Sequence, residues 1–300
     1  MFHLPKNALP YTQSVITRCN DLIDVGICDG INELRFKGWL NNFKSEEEQY
    51  FSACILDGLI YRSKDQVIAM IEQLFQRTLP DLQAEHPMPF NEITDWIEDL
   101  KKDANKLPLR LVAVKGEHDP GTISSNNILR HMEKEFGTNT GIMIEADQIK
   151  RCINSGIKTF IFIDDFMGTG TQFQELCDEI DIKTILRDNY VAFTPLVSHV
   201  EGLQSLSRYA LDLKIKPVEI LNESHGIFSP QSSCFYENTG DDAEEFYCDL
   251  VTSRGLKLPV DRTGYGKLEI LYAIEGVAPD NCLPILWHSE PGKWNPLFAR

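Results

Sequence analysis

The sequence has no CxxC pair, no apolar run near the roughly 20 residues that span a bilayer, and no repeat or low-complexity segment. It is also poor in positive charge: Lys and Arg total 29 against 45 Asp and Glu, a formal net charge of -16. Each scarcity excludes something. Without paired cysteines, the thiols of Cys19, Cys28, Cys54, Cys152, Cys177, Cys234, Cys248 and Cys282 read as buried and free in a reducing compartment, neither a disulfide frame nor a zinc site. Without a long apolar run no membrane segment is expected. The start, MFHLPKNALPYTQ, lacks the charged and apolar blocks of a signal peptide, so the expected location is cytoplasmic. An acidic balance repels a phosphate backbone unless basic residues gather on one face, so direct nucleic-acid binding is not expected.

What is present is an ordinary globular composition, 42% hydrophobic over 300 residues, enough for one large domain or two modest ones. Residues 1–105 read as a helical region. Ser45 with Glu46, Glu47 and Glu48 is a capping-box signature, followed by Phe51, Cys54, Ile55 and Leu59 at helical spacing. Ser63 and Gln66 repeat it before Val67, Ile71, Leu74 and Phe75, and Asn91 precedes Ile93, Trp96, Ile97 and Leu100. Trp39 and Trp96 are expected in the core. From 106 to 300 the pattern changes. Short β-rich runs at 110–114, 141–144, 159–163, 190–194, 218–221 and 268–274 alternate with helical patterns at 124–136, 145–156, 171–180 and 201–211. That alternation predicts an α/β domain with a parallel sheet covered on both faces, whose ligands bind beyond the carboxyl ends of the strands.

The turns after those strands are therefore where chemistry is sought. In 159-TFIFIDDFMGTGTQFQELCDEI-180 an apolar run ends in Asp164 and Asp165, then passes Gly168 and Gly170 into a helix. Glycines permit positive φ and close backbone approach, and a helix start offers unpaired N–H groups that suit a phosphate, with the Thr169 and Thr171 hydroxyls as further donors. Carboxylates beside a phosphate need a different partner: sugar hydroxyls or a magnesium ion. The bland alternative is a strand-terminating Asp pair and a tight turn.

The stretch IFIDDFMGTGTQ resembles the ribose-phosphate motif of type I phosphoribosyltransferases. The resemblance implies a Rossmann-like, phosphoribosyltransferase-type core. It puts Asp164 and Asp165 at the ribose hydroxyls of phosphoribosyl pyrophosphate, and Phe166, Met167, Gly168, Thr169, Gly170, Thr171 and Gln172 around its 5-phosphate. Gly168 stands where the family usually has Asp or Thr, and Gln172 where it usually has Ser or Thr. By position, Lys115 and Gly116 of 115-KGEHDPGTISSN-126 would meet pyrophosphate, with Mg2+ carried by the substrate and no direct protein ligand assigned. Glu117, His118 and Asp119 suit acid/base work, a metal or a solvated loop. His199 and Glu201 of 194-TPLVSHVEG-202 are candidates for the acceptor or for helix entry.

The wider chain resembles a narrower group, the phosphoribosyltransferase-like proteins of prokaryotic conflict systems found near retron reverse transcriptases and other antiviral defence genes. It does so through GWLNNF, the SEEEQ helix, the DDFMGTGTQ loop, 264-GYGKLEILYAIEG-276 and the closing 280-DNCLPILWHSEPGKWNPLF-298. That resemblance implies defence-system partners such as a reverse transcriptase, a nucleic-acid-binding protein or a toxin subunit. In the C-terminal segment, Gly264, Tyr265 and Gly266 would admit backbone next to a ligand, and Asn281, Trp287 and Trp294 would line an acceptor pocket; alternatively residues 268–276 complete the sheet and 284–287 pack on it.

Overall fold

Phe160, Ile161, Phe162 and Ile163 are all fully buried, as a strand covered on both faces requires. The strand they form is the middle of a parallel sheet in a computed structural model that describes residues 2–85, 95–102, 104, 107–115 and 124–298.

In chain order, the first elements are the helices α1 (Ala8–Asp24), α2 (Glu33–Leu40) and α3 (Glu46–Gly58), the strand β1 (Ile60–Arg62), and α4 (Lys64–Gln73), α5 (Leu79–Glu85) and α6 (Asp95–Leu100). Then come β2 (Leu109–Ala113), α7 (Ser124–Phe136), β3 (Met143–Ile144), α8 (Ile149–Asn154), β4 (Thr159–Met167), α9 (Thr171–Glu179) and α10 (Ile182–Leu186). The last are β5 (Tyr190–His199), α11 (Val200–Tyr209), β6 (Lys214–Ile215), β7 (Glu219–Leu221), α12 (Gly240–Ser253) and β8 (Tyr272–Ile274). No helix among the described residues is long and apolar enough to cross a membrane.

The chain forms two compact units, Ile68–Leu221 and the combination of Met1–Val67 with Asn222–Arg300. This division in space differs from the expected one in sequence, 1–105 and 106–300. A change of local pattern near residue 105 carries no information about which distant segments pack together.

Unit Ile68–Leu221 holds a sheet in the order β3-β2-β4-β5-β6, with β7 also pairing β5 and every pair parallel. The expected α/β class and parallel sheet are what the chain adopts. The face carrying Phe160, Phe162 and Phe193 packs against Phe173, Leu176 and Cys177 of α9 and Ile182 and Ile185 of α10. Phe173 stacks on Phe193 at 3.9 Å between ring centroids and meets Phe162 edge-on at 5.2 Å, so one ring fixes α9 across two strands. Burying such a ring contributes about 1.5–3 kcal/mol.

In the other unit, α1 packs on α3, and β1 pairs β8 in parallel as a separate two-stranded sheet. The Ser45 and Ser63 caps form as expected: Ser45 Oγ accepts from Glu48 N–H, and Ser63 and Gln66 exchange both bonds of a capping box. Asn91 lies outside the described residues. The expectation that residues 268–276 complete the main sheet is corrected, because β8 belongs to the small sheet. Lys267 and Glu269 sit at φ 55° and 58°, which breaks extended structure before Leu271.

The C-terminal tryptophans are core. The Trp294 indole N–H donates to Ile285 O at 2.9 Å, beside Trp39, which donates to the same carbonyl at 2.8 Å, and Trp287 is 5% exposed. Gly264, at φ 94°, makes room for Asn281 rather than a ligand: a Cβ there would lie 2.3 Å from Asn281 O. All eight cysteines are free; Cys54, Cys177 and Cys282 are buried, and the other five are half-buried.

Candidate phosphate and ribose site

The order β3-β2-β4-β5 reverses direction between β2 and β4, since β2 leads through α7 to β3 on one side and β4 leads through α9 to β5 on the other. A crevice at such a switch point is where an open α/β sheet places its ligand. Two of the candidate residues stand there. The last bond between the strands runs from Val114 N–H to Ile163 O at 3.2 Å, and the next residues in line are Lys115 and Asp164.

Asp164 and Asp165 are the sixth and seventh of nine residues of β4 rather than residues beyond its end. The strand continues because Phe166 and Met167 still pair with Val197 and Ser198 of β5. Asp164 lies opposite Pro195, which has no N–H to give the ladder. Asp164 is 6% exposed, and its Oδ1 accepts from Asp165 N–H at 3.0 Å; Asp165 is half-buried.

The turn between β4 and α9 is Gly168, Thr169 and Gly170. It is shorter than the expected Phe166-to-Gln172 loop, because Phe166 and Met167 are spent on pairing and packing. Gly170 is at φ 80° and caps α9, while Gly168 keeps negative φ, against the expectation for it. The Thr169 and Thr171 hydroxyls are 2.9 Å apart, and Gln172 is exposed on the first turn of α9. The start of a helix leaves N–H groups without intrahelical partners and at the positive end of its dipole. Donors for an anion and carboxylate acceptors for hydroxyls thus meet at one strand end.

The PRTase-CE family profile matches residues 36–300. The chain belongs to the PRTase-CE family. Its reach takes in both compact units, and its phosphoribosyltransferase-like character agrees with the motif on β4. A solved structure, the HGPRT-ase from Leishmania tarentolae in complex with GMP, is similar over 55% of this chain and 81% of its own, at 15% identity and a TM-score of 0.31. No curated protein matches the chain.

In this PRTase-CE chain, Lys115 is half-buried and paired with Glu145, the residue after β3. Glu145 lines a cavity of about 340 Å³ together with Ala113, Asn126, Arg130, Glu133 and Gln148, among others. None of Asn126, Arg130, Glu133 or Gln148 stood out in the sequence, where α7 and the segment after β3 read only as amphipathic. Gly116, Glu117, His118 and Asp119 lie outside the described residues.

His199 ends β5 and caps α11, its Nδ1 accepting from Glu201 N–H at 3.3 Å; it is 3% exposed and Glu201 is exposed. That bond is the one the helix-entry reading of this pair requires. Sequence reasoning also missed Gly202, where a Cβ would lie 2.5 Å from Gly168 O. Gly202 lets α11 lie against the β4–α9 turn, and Gln174 of α9 donates to Ser205 of α11 at 2.5 Å alongside. The signal was a lone glycine at the second position of a predicted helix. Among the described residues, no group of three or more His, Cys, Asp and Glu could hold a metal ion.

Proposed function

We propose that this PRTase-CE protein binds phosphoribosyl pyrophosphate or a related ribose phosphate at the β4–α9 turn and acts at its anomeric carbon. The supporting observation is the placing of two carboxylates and a Gly-capped helix start on one strand end at the sheet's switch point. The 5-phosphate accepts from the first-turn N–H groups of α9 and from the Thr169 and Thr171 hydroxyls. Asp164 and Asp165 accept from the ribose hydroxyls and stabilise positive charge that develops on the ring as the bond to the leaving group breaks.

Lys115 meets the departing pyrophosphate. The Lys115–Glu145 pair is about half exposed, and such a pair is worth roughly 0–1 kcal/mol, so a polyanion can displace Glu145. Magnesium fits this donor set as a substrate-borne ion. It prefers one or two carboxylates together with phosphate oxygens and water, and when bound it would neutralise charge on the pyrophosphate. We place the activity in a bacterial anti-phage defence system, beside a reverse transcriptase or other nucleic-acid-binding subunit, on the sequence resemblance alone.

Incubation with phosphoribosyl pyrophosphate and a metabolite extract, followed by untargeted mass spectrometry, tests the reaction. A new species that depends on Asp164 and Asp165 supports it. A second reading, a sensor that binds without chemistry, is favoured by the exposed Gln172 and by the ion-paired Lys115. Binding with no new species would select the sensor.

A further inference from the structure

A second cavity, of about 240 Å³, lies within the unit formed by Met1–Val67 and Asn222–Arg300. Three segments far apart in sequence line it: Asn7 and Tyr11 at the start of α1, Tyr50, Asp57 and Gly58 on α3, and Ser233, Cys234 and Tyr236 of the loop before α12. Gly58 lets the Cys234 side chain pack close on α3: a Cβ there would lie 2.7 Å from Cys234 Sγ.

The hydrogen-bond directions determine what this cavity offers. The Tyr11 hydroxyl donates to Asp57 Oδ2 at 2.8 Å, the Arg18 guanidinium donates to Asp57 Oδ1, and the Tyr50 hydroxyl lies between Tyr236 O, at 3.5 Å, and the buried Cys54 thiol, which Tyr11 also reaches. The protons of both tyrosines are thus already directed into the protein. What remains toward the cavity is lone pairs on two phenol oxygens and a carboxylate, together with the rings of Tyr11 and Tyr50, 5.7 Å apart at 59°. Asp57 is 39% exposed, and Glu237, next to Tyr236, adds a second negative charge close enough to raise the Tyr50 pKa. Arg18 on α1 is the cation that pairs with Asp57. Aromatic faces beside a carboxylate attract an organic ammonium, and the cavity, about 240 Å³, has room for a small aliphatic chain.

We propose that this cavity is a second ligand site, separate from the aspartate turn, that takes a small aliphatic amine, its ammonium held by Asp57 and the rings of Tyr11 and Tyr50.

Isothermal titration calorimetry of the full chain with putrescine, butylamine and the uncharged isostere butanediol tests it. The amines bind and butanediol does not; equal binding of the diol, or no amine binding at all, would overturn the proposal. Asp57→Asn keeps the shape and removes the charge, and is expected to weaken putrescine by about tenfold, the worth of a charge-assisted hydrogen bond. Because Asp57 also holds Arg18 and Tyr11, a second variant, Tyr236→Ala, tests the exposed lip of the cavity without touching the α1–α3 packing. Weaker putrescine binding in Tyr236→Ala, with an unchanged circular dichroism spectrum, supports the assignment, and wild-type affinity in both variants refutes it. The Asp164→Asn, Asp165→Asn double variant binds putrescine like the wild type, so this test stands apart from that of the aspartate turn.

Discussion

Gly202 on α11 and Gly168 in the β4–α9 turn touch backbone to backbone, with no room for even a methyl group between them. The turn that would hold a phosphate is therefore shaped partly by a helix that follows the next strand. Gly202→Ala puts a carbon 2.5 Å from Gly168 O, and overpacking of this kind costs about 1–3 kcal/mol. We expect thermal unfolding to report that loss, and ribose-phosphate binding to fall further than stability does, because the strain is released in the turn itself. Unchanged binding would mean that the turn does not contact the ligand.

Phe173 links α9 to β4 and β5 by ring contacts on Phe162 and Phe193. Phe173→Ala should cost about 3–5 kcal/mol, as large-to-small changes at fully buried rings do. Denaturant unfolding measures it. Phe173→Leu, which keeps most of the volume, should recover much of the loss.

Glu145 holds Lys115 before any ligand arrives. Glu145→Gln removes the competing anion and should tighten phosphoribosyl pyrophosphate by about two- to fivefold, the range an exposed ion pair allows. Calorimetry at two salt concentrations checks it. The gain should be largest at low ionic strength, where charge is least screened.

Burial, with a further contribution from Glu244, raises the Glu269 pKa from 4.5 to about 7. A carboxyl whose folded pKa lies above its unfolded value binds more protons when folded, so its stabilising contribution is complete below about pH 4.5 and is lost as pH rises toward 7. Glu269→Gln should flatten the melting temperature between those limits and raise it above neutrality. Thermal melts of the two proteins from pH 4.5 to 8 decide it.

The main sheet was legible in the sequence because its signals are local. Apolar runs bounded by turns marked β2, β4 and β5, and the amphipathic stretches between them marked α7, α9 and α11. The caps of Ser45 and Ser63 were equally plain, being side chain to backbone over three residues. What could not be read was anything set by distant pairing. β1, with only Ile60, Tyr61 and Arg62, gives no periodicity, and its partner β8 lies more than two hundred residues later. For the same reason residues 268–276 read as another strand of the main sheet, since the left-handed Lys267 and Glu269 are residues that seldom adopt that conformation. At the candidate site the acids and the Gly-Thr-Gly turn were visible as types in a row. The Glu145 partner of Lys115 and the Gly202 contact were not, because each depends on which strands and helices become neighbours.

The central claim is that Asp164 and Asp165 hold the sugar while the turn after them holds its phosphate. Calorimetric titration of phosphoribosyl pyrophosphate into the wild type and into the Asp164→Asn, Asp165→Asn double variant, each checked for fold by circular dichroism, tests it most directly. The account predicts saturable binding by the wild type and at least about a tenfold loss in the double variant, two charge-assisted hydrogen bonds having been weakened. A folded double variant that binds as tightly as the wild type would contradict it.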